Sequence, residues 1–242
     1  MPLLPPPLPP LPPLPVRARD LALLLVLGVV AFIAPAAVVV LIWGEGAIAG
    51  LPAVLGLFVG QSLLLLGLAW LVVLRPHRLS LADVGLRPTY GSWYRLAVAG
   101  GLLCVPLASL INLAFQSLLD VPFENPQLRA LAPEGFSWTS LVAMLLLVGV
   151  LVPFIEEIIF RGLIFGWLRK HLRFALAAPL VALLFAVAHQ VWVLVPVLAF
   201  MGLVLAAVTE RSGSLWPAII LHGTFNSVMT IAYYAALAMG GV

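Results

Sequence analysis

Two adjacent glutamates and an arginine stand inside an apolar run, and no other feature constrains this chain as tightly. The stretch Phe154-Ile155-Glu156-Glu157-Ile158-Ile159-Phe160-Arg161 lies in a hydrophobic segment from about Leu141 to Leu168. That segment is long enough to cross a bilayer, for which about 20 apolar residues suffice. A charge at mid-membrane costs at least about 2.5–3.5 kcal/mol on insertion scales, so three close together need partners or a function. On a helix Glu157 and Arg161 are four apart and share a face, with the glutamate on the favourable N-terminal side. Glu156 sits about 100° round the helix and has no intrahelical cation. The spacing predicts that Glu157–Arg161 is an internal brace and Glu156 is the group left for chemistry. A purely structural ion-pair network would need one glutamate, not two.

Composition sets the class. Of 242 residues 64% are hydrophobic and 9% are charged, against about 25% charged in soluble domains. The chain reads as an all-α integral membrane protein, a polytopic bundle of about seven transmembrane helices with a buried polar site. The net charge of +3 is arginine apart from Lys170; it reads as loop charge that sets topology and gives no case for a nucleic-acid partner. Cys104 is the single cysteine, so no intrachain disulfide can form, and it reads as a packing residue.

Residues 1–20 form a proline-rich tail and residues 21–242 the membrane domain. Met1 to Pro15 contains only Met, Leu and Pro, with nine prolines. That composition forbids a helix and favours a solvated polyproline II extension. The spans expected are 21–43, 51–74, 94–119, 141–168, 174–192, 194–208 and 215–239, the sixth being short. Leu81–Pro88 reads as an interfacial stretch, Asp120–Ser137 as a polar connection, and Glu210–Ser214 as a tight loop in which Ser212 and Ser214 serve as turn and cap residues. Basic residues concentrate in alternate loops: Arg17 and Arg19, then Arg75, Arg78, Arg87 and Arg95, then Arg169, Lys170 and Arg173, then Arg211. The other loops hold Arg129. The positive-inside rule then places the N-terminus in the cytoplasm of a multi-pass plasma-membrane protein.

Three more polar groups lie in apolar helices: His189 in the fifth span, and His222 and Asn226, four apart and so on one face, in the seventh. Counting from the basic loops, Glu156, His189 and His222 reach depths of about 20, 24 and 16 Å, close enough to meet in one layer. Such a cluster suits water activation. A carboxylate in an apolar pocket can act as general base, and imidazoles and an amide can hold the water or stabilise an oxyanion. A Zn²⁺ ion would also accept Glu156, His189 and His222 as ligands. Asn226 reads as a hydrogen bonder to water or substrate, although bridging helices is a common alternative. His-Glu-x-x-His, Gly-x-Ser-x-Gly and nucleotide-binding glycine patterns are absent from the sequence.

The ordered set Glu156-Glu157-x-x-x-Arg161, Phe185-x-x-x-His189 and His222-x-x-x-Asn226 resembles the CAAX prenyl protease / bacteriocin-processing (CPBP, Abi-like) family of intramembrane proteases. The run from Arg211 to His222 also resembles that family's approach to its third motif, and the resemblance covers about residues 141–227. It implies an intramembrane endopeptidase in which Glu156 activates water, His189 and His222 hold that water or a divalent metal such as zinc, and Asn226 assists the oxyanion. Glu157, Arg161 and Phe185 would support the site. The implied partners are membrane lipid and a peptide or protein substrate that can carry a lipid. A second class remains: buried Glu, His and Arg also build proton relays in coupled secondary transporters, whose usual internal repeats are not visible in this sequence.

Overall fold

The computed structural model describes residues 5, 6, 8, 9, 13–48, 50–120, 132 and 135–240. They form helices α1 (Ala18–Trp43), α2 (Leu51–Leu74), α3 (Gly91–Leu119), α4 (Trp138–His171), α5 (Phe174–Ala188), α6 (Val195–Ser212) and α7 (Leu215–Ala238), with no strand among the described residues. Apart from α5, each of these, counting the 3-10 turn Trp192–Leu194 with α6, is long and apolar enough to cross a membrane. The protein is a multi-pass integral membrane bundle.

Two of the expected spans exchange character. The fifth is the short one: α5 has 15 residues and stops at Ala188, so His189 caps it rather than lying within it. Gln190 then takes a left-handed φ of 58° and the chain makes the 3-10 turn before α6. The sixth is longer than its apolar run, because Thr209–Ser212 continue the helix and the turn tightens to Gly213, in the left-handed region, and Ser214. Ser214 Oγ caps α7 by accepting from Trp216 N at 3.2 Å. A polar loop signal here marked the last turn of a helix whose inner face is still buried.

The bundle packs α3 along α7 and α5 along α6, while α4 touches α2, α5, α6 and α7. The outer helix α1 lies mainly on α2, where Gln61 Nε2 donates to Phe32 O at 2.5 Å three residues before Pro35. In hydrocarbon such a side chain needs an internal partner. At the same end as the start of α1, His77 Nε2 lies 2.8 Å from Asp20 Oδ2, tying α1 to the turns after α2. Those turns are not loosely interfacial: Val84 is buried and Gly85 O accepts from Leu215 N at 2.8 Å.

The described part of the N-terminal tail is not a solvated extension. Leu14 and Val16 are buried in the main core cluster with Leu163, Ile164 and Phe165 of α4. The prolines cannot donate, but the tail's carbonyls still accept from the bundle. Residues 121–131, 133 and 134, with the acidic connection and Arg129, lie outside the described residues.

Candidate active site

The helix that carries the two glutamates is irregular where it matters. Within α4, Leu147–Leu151 and Ile158–Phe165 are π-helical and flank the α-helical turn Val152–Glu157. Pro153, at the start of that turn, has no N–H to give to Gly149 O. π-bulges recur at functional sites because they change which face a side chain occupies. Gly149 lies where α4 crosses α7. A Cβ on Gly223 would collide with the Gly149 carbonyl oxygen, and one on Gly149 with Ser227 Oγ. This close approach brings His222 and Asn226 against α4.

Glu157 and Arg161 form the expected pair at 2.8 Å, with both side chains fully buried. Three further contacts compensate the guanidinium or share its partner. Arg161 Nη2 donates to Gly202 O at 3.3 Å. The guanidinium carbon lies 4.5 Å from the Phe185 ring centroid, a cation–π distance. The Glu157 oxygen that holds Arg161 also lies 3.0 Å from His222 Nδ1. Gly202 reaches this position because α6 touches α5 there: a Cβ on it would lie 2.6 Å from Ala182 Cα.

These contacts fix the histidine tautomers. Phe185 O is a carbonyl and can only accept, so His189 Nδ1, 2.8 Å away, donates. Glu157 Oε1, which accepts from Arg161, also accepts here, so His222 Nδ1 donates to it. In their neutral form both rings therefore turn an Nε2 acceptor towards Glu156: His189 Nε2 lies 3.9 Å from Oε1 and His222 Nε2 lies 3.7 Å from Oε2. Phe185 packs edge-on against both rings, at 4.7 Å from His189 and 5.7 Å from His222. Glu156 Oε2 is buried without a hydrogen-bond partner among the described residues. The Glu156 and His189 side chains keep 23% and 18% exposure against none for Glu157, so Glu156 is the carboxylate another molecule can reach.

Asn226 belongs to the same helix face but is held differently. Its Nδ2 donates to Val148 O at 3.0 Å, across the α4–α7 crossing. That bridge uses one of its two N–H groups. Among the described residues no group of three or more His, Cys, Asp and Glu is arranged to hold a metal ion. Glu156, His189 and His222 are suitable donor types, but their placement does not form a coordination site.

Sequence reasoning missed the Gly202 carbonyl, the Gly149–Gly223 crossing and the second role of Glu157. The first is a backbone group and leaves no residue signature. The glycines were visible as small residues suited to close helix packing, without an indication of which pair touches.

Residues 138–228 match the family model of type II CAAX prenyl endopeptidase Rce1-like proteins. This agrees with the family that the ordered motifs resemble. The Rce1-like stretch runs from the start of α4 into α7 and contains Glu156, Glu157, Arg161, Phe185, His189, His222 and Asn226. No curated protein and no solved structure matches the chain.

Proposed function

We propose that the protein is an intramembrane endopeptidase that hydrolyses a peptide bond with water activated by Glu156. The observation that carries this reading is the placement of Glu156 between two imidazole acceptors at 3.7 and 3.9 Å. These separations are too long for direct hydrogen bonds and suit a water that bridges Glu156 and one of the two imidazoles.

The water gives one hydrogen to Glu156 and another to a histidine Nε2, leaving an oxygen lone pair for the scissile carbonyl carbon. As the C–O bond forms, Glu156 takes the proton and the carbonyl oxygen becomes an oxyanion. In this reading the second N–H of Asn226 serves that oxyanion. Glu156 then passes its proton to the departing nitrogen as the C–N bond breaks, giving an amine and a carboxylic acid, which loses its remaining proton to solvent. Glu157 positions His222, Phe185 positions His189 through its carbonyl, and Arg161 holds the Glu157 carboxyl in place.

The substrate is a peptide or protein that enters from the lipid or from the water–lipid boundary, and a lipid-modified C-terminal segment is the substrate class. The N-terminus lies in the cytoplasm and the membrane is the plasma membrane, a topology supported by the alternation of basic loops. The purified protein in detergent, given a fluorogenic prenylated peptide, should release one new N-terminus at one internal bond, with the product masses reporting the site. Proton flux in liposomes without peptide cleavage would instead favour a transporter.

A further inference from the structure

The N-terminal prolines contain a period. From Pro6 the chain reads Pro-Pro-Leu three times, so Leu8, Leu11 and Leu14 recur every third residue. A polyproline II helix has three residues per turn, which places these leucines on one face. The seated residues follow that rule: Leu8 is half-buried and Leu14 is buried, while Pro6, Pro9, Pro13 and Pro15 are exposed. Leu11 lies outside the described residues.

The end of the bundle where α7 begins has a counterpart for each described leucine. A Cβ on Gly213 would come 3.0 Å from Leu8 Cβ, and one on Gly166 would come 3.0 Å from Leu14 Cδ1. The glycines under Leu8 and Leu14 let these described residues lie close to the bundle backbone. The polar contacts keep the same spacing. Trp93 Nε1 donates to Pro6 O at 3.3 Å, and the Arg87 guanidinium donates to Pro9 O, one polyproline turn later. Ser212 O accepts from Leu8 N at 3.4 Å, and Lys170 Nζ donates to Leu14 O at 3.3 Å. The groove's polar groups are also held from below: Arg87 Nε donates to Gly213 O at 2.9 Å, Ser214 Oγ donates to Arg87 O at 2.5 Å, and Trp93 is buried.

Donors spaced to meet the carbonyls of Pro6 and Pro9, one of them an indole N–H, beside glycine slots for Leu8 and Leu14, two periods apart, meet the requirements for recognising a preformed polyproline II ligand. We propose that Trp93, Arg87, Ser212–Gly213, Gly166 and Lys170 form a polyproline II recognition site whose resident ligand is the chain's own N-terminal segment, and that a Pro-Pro-Leu peptide supplied in trans competes for it. The site is distinct from the Glu156 cluster and does not depend on the peptidase reading.

The test uses the full chain in detergent with a fluorophore on Pro13→Cys, where the native side chain is exposed and the native Cys104 is buried. The dye should be immobilised in the resting protein. A peptide of three Pro-Pro-Leu repeats should release it at a concentration at least tenfold lower than a peptide of the same composition with its leucines adjacent. Trp93→Phe, which keeps a ring and removes the N–H, should release the dye without peptide. A second variant covers the case in which the tethered segment resists displacement. Leu8→Pro with Pro9→Leu shifts one leucine out of phase and removes the Leu8 N–H, so this chain should bind labelled periodic peptide at least tenfold more tightly than the unaltered chain does. A dye already mobile in the resting protein, equal response to both peptides, or a phase-shifted chain that binds no peptide would overturn the proposal.

Discussion

His222 Nδ1 lies 3.0 Å from Glu157 Oε1, the same carboxylate oxygen that holds Arg161 at 2.8 Å. One buried oxygen therefore neutralises a buried guanidinium and fixes the tautomer of a histidine that faces the second glutamate. The adjacent carboxylates divide the work by environment: Glu157 is enclosed, with Oε1 held by Arg161 and His222, while Glu156 is partly exposed; each keeps an Oε2 without a hydrogen-bond partner among the described residues. Their different surroundings follow from a single step along an irregular helix.

Removing Arg161 leaves Glu157 charged and buried. Breaking such a pair from one side costs about 3–5 kcal/mol. Arg161→Ala should lower the melting temperature in detergent and abolish peptide cleavage, because Glu157, the acceptor that orients His222, is no longer held by Arg161. Normal expression with full activity would show that the brace is dispensable.

The α4–α7 crossing predicts a sharp difference between two glycines. Gly223→Ala places a methyl group against the Gly149 carbonyl, and overpacking of this kind costs about 1–3 kcal/mol. It should also separate Asn226 from Val148 and His222 from Glu157. Gly60→Ala, at a position with no atom within 4 Å of the added carbon, should gain about 0.5–1 kcal/mol of helix propensity. Melting curves of the two variants should shift in opposite directions.

Asn226 can be read as a helix bridge or as an oxyanion donor, and the two roles differ in magnitude. An interhelical hydrogen bond in a membrane averages about 0.6 kcal/mol, whereas losing an oxyanion donor lowers kcat by about 10²–10³. Asn226→Ala should therefore melt close to the unaltered protein yet lose kcat by that larger factor, with little change in KM. A modest melting shift with kcat intact would leave only the bridge.

Outside the membrane, the Ser80 hydroxyl and backbone N–H donate to Asp83 Oδ2 at 2.6 and 2.8 Å and hold its carboxyl below the usual carboxylate range. With the folded value depressed, this support is complete above the unfolded carboxylate value, about 3.9, and is lost as pH falls through the lowered one. The turn should stay resistant to proteolysis beside Arg78 and Arg87 at neutral pH and open only in acid. Asp83→Asn should lose that acid transition.

Much of this arrangement was legible in the chain. Hydrophobic runs fixed the helices, and counting from basic loops placed Glu156, His189 and His222 at a common depth, where the structure brings each imidazole within 3.9 Å of Glu156. The exceptions have physical causes. The break after Ala188 lies in an apolar stretch where hydropathy does not register a left-handed Gln190. The π-helical turns of α4 leave no signal in a hydropathy pattern. The tail looked featureless because prolines make neither strands nor helices, yet its leucines keep the period of the one structure prolines favour.

The central claim is that Glu156 activates the water. Cleavage of a fluorogenic prenylated peptide by purified protein should be compared with that by Glu156→Gln, which retains shape and removes the base, with a chelator arm for each. The account predicts an unchanged melting curve and turnover reduced to background in Glu156→Gln. Equal cleavage by the two proteins would contradict it.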